Sequence, residues 1–198
     1  MGLSFHYSGR IANPTSLSEL IEEIEDIVKV YDWKYFVFDR KFPDNTIGKD
    51  DYNQSIYGIC FTPPNCETID VCFLSNGKMS SLSHLKFYGK TDMQDEREYL
   101  YMLSVKTQYA GIELHMFIIQ LFRYLNTKYF ADFKISDEGQ YWETNDETVL
   151  KTIFNKYNEL VNGFVSAIET HPMQTGEDIE SYFLRLMKKI NDQKKRGK

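Results

Sequence analysis

An α+β fold is predicted for this chain: an antiparallel β-meander sheet covered by a central helix and followed by a C-terminal helical pair. Three observations predict it. Short alternating segments separated by turn residues fill most of the first half, an almost unbroken apolar helical pattern occupies 111–130, and two amphipathic helical patterns close the chain. Consecutive hairpins imply antiparallel pairing rather than strand–helix–strand units. The 198 residues, 42% apolar and 15% aromatic, suffice for a full core. One domain over 1–198 is expected, with the helices from about 145 onward packed on the same core.

The elements follow in order. Leu3, Phe5 and Tyr7 alternate with Ser4, His6 and Ser8, the pattern of a half-buried strand. Ser16-Leu17-Ser18-Glu19 fits a capping box, and Leu17, Leu20, Ile21, Ile24, Ile27, Val28 and Tyr31 follow at helical spacing. Glu19, Glu22, Glu23, Glu25 and Asp26 lie mostly off that stripe and give the helix an acidic outer face. Strands are read over 33–39, 56–61 and 69–74, with Pro63-Pro64-Asn65 turning the chain between the last two. Asn76-Gly77 is a strong hairpin signal, so 78–87 is expected to pair back as a strand. A polar loop over 88–97 and a strand over 99–106 lead to the central helix. A short strand is read over 133–136. Thr144-Asn145-Asp146-Glu147 is a second capping box and opens a long helix, and the last helix carries Ile179, Phe183, Leu186 and Ile190.

Composition narrows the functional classes. A net charge of −6 disfavours nucleic acid, whose phosphates would be repelled. Lys188, Lys189, Lys194, Lys195, Arg196 and Lys198 crowd the C-terminus, where cations suit a helix end. No apolar run approaches the ~20 residues of a membrane span, and no apolar leader is visible, so a cytoplasmic protein is expected. Cys60, Cys66 and Cys72 have C-x5-C-x5-C spacing, unlike the closer pairs that put two sulfurs on one zinc ion; they read as structural thiols. No phosphate loop, dinucleotide fingerprint, nucleophile elbow or HExxH site is present. Neither a metal nor a cofactor is expected.

Two polar segments carry the candidate chemistry. The first, 105–115, runs from a strand into the N-terminus of the central helix and holds Lys106, Gln108 and His115. Free N–H groups at a helix N-terminus suit a small anion near Gly111. The second, 137–144, gathers Asp137, Glu138 and Glu143 with Tyr141 and Trp142, a composition suited to a cation or a basic partner. These two stretches resemble recurring segments of uncharacterised bacterial proteins of similar length. The resemblance implies a bacterial cytoplasmic protein and assigns no chemistry to any residue.

The expected function is a non-enzymatic accessory protein, chaperone-like or immunity-like, that binds a basic protein partner. Lys106, Gln108, Asp137, Glu138, Tyr141, Trp142 and Glu143 are its candidate contacts. The alternative is a small enzyme with His115 as acid/base and Lys106 and Glu138 or Asp137 as helpers, which requires His115 to reach an open pocket. Extended chain rising ~3.3 Å per residue from Phe133 should bring the second segment back toward the start of the central helix. Trp142 is then expected beside Ile112 or Ile119, with the carboxylates meeting Lys106.

Overall fold

The computed structural model of the protein describes residues 3–91 and 93–196. The fold is α+β, with antiparallel strands in two three-stranded sheets and a C-terminal pair of helices. The chain forms two compact units, one ending at Lys151 and the other starting at Thr152.

In the first unit, β1 (Ser4–Ile11) leads through a 3-10 turn into α1 (Leu17–Val30). Leu17, Leu20, Ile21, Ile24 and Val28 bury the predicted stripe. The helix entry differs from the expected capping box. Asn13 accepts from Thr15 N, and Ser16 uses its hydroxyl on the Asn13 carbonyl instead of capping the helix. β2 (Lys34–Val37), β3 (Tyr57–Thr62) and β4 (Ile69–Phe73) form the first antiparallel sheet, in the order β2-β3-β4. Gly58 has φ +123, and a Cβ there would stand 2.3 Å from the Val71 carbonyl oxygen, so β3 and β4 approach where only glycine fits.

Asn76-Gly77 makes the expected tight turn, with Gly77 at φ +85 and Leu74 N donating to Lys78 O. The return strand over 78–87 does not form. Ser80 N still donates to Cys72 O, but the Ser81 hydroxyl then accepts from His84 N and caps α2 (Leu82–Tyr88). A capped turn of helix satisfies those backbone groups locally, so the ladder stops. Lys78 and Met79 turn instead toward β1, where Met79 N donates to Gly9 O and Ile11 N donates to Gly77 O. The expected loop and long strand over 88–106 become α3 (Gln94–Tyr99) and a short β5 (Leu103–Lys106).

β5 pairs with β1, then α4 (Ile112–Tyr129) leads into β6 (Phe130–Asp137), which pairs with the other side of β1. The second sheet is therefore β5-β1-β6 with the first strand of the chain at its centre. β6 is longer than the sequence pattern indicated, because β1 supplies a pairing partner along its length. Ile118, Ile119, Phe122 and Leu125 of α4 are buried, and Phe122 lies 5.6 Å from Phe5 and 4.8 Å from Tyr7, ring centre to ring centre. α5 (Tyr141–Thr144) follows. Thr144 closes this short helix rather than opening the next one, and Asp146 caps α6 (Glu147–Thr170) by accepting from Thr148 N at 2.7 Å.

In the second unit, the rest of α6 is joined to α7 (Ile179–Arg196) by a turn held by Arg185, which pairs with Glu177 at 2.7 Å. Beyond Lys189, the basic cluster read at the C-terminus lies outside the described side chains. Among the described residues no helix is long and apolar enough to cross a membrane.

Candidate functional site

Strand alternation sorts the candidate residues onto two faces of the second sheet. Phe5 stands opposite Val105 on one side and Asp137 on the other, and all three are buried. Ser4, one residue earlier, stands opposite Lys106 and hydrogen-bonds to Glu138 through both backbone groups: its N–H donates to Glu138 Oε2 and its carbonyl accepts from Glu138 N. Lys106 and Glu138 therefore share the open face, whereas Asp137 faces the core.

On the core side, α4 presents His115 to Asp137 and Thr107. His115 is fully buried, with Nδ1 2.7 Å from Thr107 Oγ1 and Nε2 3.2 Å from Asp137 Oδ2. An ionised carboxylate only accepts, so Nε2 carries a proton and donates to Asp137. Asp137 also caps the turn before α5. Its carboxylate accepts from Gly139 N at 2.7 Å, Tyr141 N at 2.8 Å and Trp142 N at 3.0 Å. Burial by itself would raise the Asp137 carboxyl. The His115 hydrogen bond and charge, with the Trp142 and Gly139 N–H groups, outweigh burial and hold it below the usual carboxylate value. A Cβ at Gly139 would lie 2.6 Å from Leu150 Cδ1 and 3.0 Å from His115 Nε2, so a side chain there would have to displace the Leu150 methyl and crowd the imidazole.

This knot does what a buried polar cluster must do, which is to satisfy its members. The access that acid/base work requires is absent, since His115 and the Asp137 side chain have no solvent exposure. Gln108 is also structural: it is buried and its Oε1 accepts from Leu3 N at 2.8 Å. The Lys106 ammonium lies over the Tyr109 ring at 5.5 Å rather than against the carboxylates, a correction to the expected cluster. Tyr141 is buried, and its hydroxyl accepts from Gln120. Glu143 is exposed and accepts weakly from Asp137 N at 3.4 Å. Trp142 sits 5.9 Å from the Phe133 ring and over the Arg123 guanidinium at 5.3 Å. It therefore packs against α4 at the turn that carries Arg123, more than two turns beyond Ile112 and one turn beyond Ile119. The chain turns back into α5 at Gln140, in a left-handed conformation at φ 57, and Arg123 binds the Tyr141 and Trp142 carbonyls there.

The open face carries a residue the sequence reading left aside. His6 stands opposite Ser104 and Ser136, and its Nε2 is 3.9 Å from Glu138 Oε1. A shallow hollow of about 220 Å³ lies here, lined by His6, Ser8, Met102, Lys134 and Ser136 among others. The alternation around His6 was visible in the sequence; its cross-strand neighbours were not. The three thiols are unpaired. Burial pushes Cys60 up to about 11 and Cys66 up to about 12, so neither is a ready nucleophile near neutral pH. Among the described residues no group of three metal-ligating side chains is present.

The first sheet presents an open edge. β2 pairs with β3 on one side, and among the described residues no strand lies on the other. Phe38 N donates to Gly58 O, so the backbone groups of Phe36 and Lys34 point at β3 while those of Tyr35 and Val37 face outward. Tyr35 is 39% and Phe36 59% exposed on that edge.

No family model, curated protein or solved structure matches the chain.

Proposed function

We propose that the protein is a non-enzymatic binding protein, an accessory or immunity-type protein of the bacterial cytoplasm, that engages a basic protein partner. The observation that carries this reading is the free edge of β2, where outward-facing backbone groups of Tyr35 and Val37 stand beside two exposed aromatic rings. Natural sheets usually guard such an edge with charge, proline or a covering element, because it is a template for another strand. An extended segment of a partner adds to such an edge through main-chain hydrogen bonds and takes specificity from the flanking side chains. The net charge of −6 and the exposed Glu22 and Asp26 of α1 favour a basic partner. Glu19 and Glu23 contribute less, because both pair with Lys128, and Glu25 pairs with Arg40 and Lys29.

The test is co-purification at modest salt of the wild type, Phe36→Lys and Val37→Pro. The proline removes an outward N–H and leaves the ladder to β3 intact. A basic protein retained by the wild type, released by salt and lost from both variants supports the reading. Retention by both variants, or no partner at any salt, refutes it.

A further inference from the structure

The second unit has an open apolar face of its own. On α6, Leu160, Phe164 and Ile168 recur every fourth residue and are 49%, 42% and 36% exposed. On α7, Ile179, Phe183 and Met187 repeat that spacing and are 67%, 40% and 61% exposed. The two strips meet at Phe164 and Phe183, whose rings stack at 6.1 Å with their planes 11° apart. The neighbouring positions Tyr182 and Leu186 are buried. On α7 these two positions are covered, while the strip beside them is open. Two helices meet along a single line and cannot enclose a second stripe; that takes another layer.

We propose that a second copy of this chain covers the face, two helical hairpins joining about a two-fold axis into a four-helix bundle. The area fits. If each fully exposed side chain offers roughly 150–200 Å², the six strip residues leave on the order of 550 Å² open. Val165 at 45% and Leu184 at 64% exposure bring this to about 750 Å², close to the ~800 Å² per partner of a stable interface. The geometry fits as well. A two-fold pairing sets the same patch against itself, which suits a patch made mostly of apolar side chains. Two helical hairpins set face to face make a four-helix bundle, whose core takes up the inward apolar positions of all four helices. This proposal does not rest on the β2 edge.

The experiment uses the full chain. Analytical ultracentrifugation over a micromolar dilution series reads the oligomeric state, and hydrogen exchange on dilute and concentrated samples locates the protected segments. The expected result is a dimer whose concentration-dependent protection falls within 157–187. The double variant Leu160→Glu/Met187→Glu should dissociate at least ~100-fold more readily, with helicity by circular dichroism and tryptophan fluorescence unchanged. If that variant loses helicity, the exchange map of the wild type still decides. A wild type that stays monomeric at the highest concentration, or a dimer protected only in residues up to 151, overturns the proposal.

Discussion

Replacing Asp137 by alanine tests whether the buried knot is a structural device. The substitution removes the acceptor for Gly139, Tyr141 and Trp142 N–H and the partner of His115 Nε2. A hydrogen bond to a charged group contributes roughly 1.5–3 kcal/mol, and a buried donor left unsatisfied costs about 1–3 kcal/mol. The donors share one side chain and relax together, so a total of about 3–5 kcal/mol is expected rather than the sum. For a unit of this size that corresponds to a fall in Tm of roughly 6–20 °C. Both tryptophans, Trp33 and Trp142, lie in the first unit, so urea unfolding followed by fluorescence reports that unit alone. Asp137→Asn keeps an acceptor but loses the charge and should cost about half as much. The pH dependence supplies a second readout. The folded Asp137 carboxyl is held below its unfolded value, so its contribution is complete above the unfolded carboxylate pKa and is lost as pH falls through the folded one. A loss below ~1 kcal/mol for Asp137→Ala would refute this reasoning and reopen a functional role for His115.

Asp70 has the opposite sign: burial raises its carboxyl to about 6, so the folded state holds a proton that the unfolded chain releases, and stability falls as pH rises from the ordinary carboxylate value through 6. Asp70→Asn should flatten that slope and stabilise the first unit at pH 7 by up to about 3 kcal/mol, measured by urea titrations at a series of pH values. Gly163 sits inside α6 with nothing within 4 Å of where a Cβ would stand, so Gly163→Ala should stabilise the helix by about 0.5–1 kcal/mol and raise its ellipticity on warming. No gain in helicity would mean that this stretch of α6 is not an independent helix.

The sequence by itself determined what depends on local periodicity and turn chemistry. The stripes of α1 and α4, the Asn76-Gly77 turn and the α+β class were legible because an apolar face at period 3.6 or 2 has few other ways to be buried. The return segment after Gly77 was not legible. Its first residues found partners on β1, and Ser81 offered a helix cap, a choice between local and distant hydrogen bonds that no pattern in 78–87 reveals. The sequence singled out His115 and Asp137 and placed their segments together, but only the tertiary structure supplied Thr107 as the third member and sealed all three from water. It also decided that Asp137 turns inward while Glu138, its neighbour in the chain, faces solvent beside His6. That assignment follows from the register of β6 on β1, and moving the register by one residue would exchange the two carboxylates between core and surface.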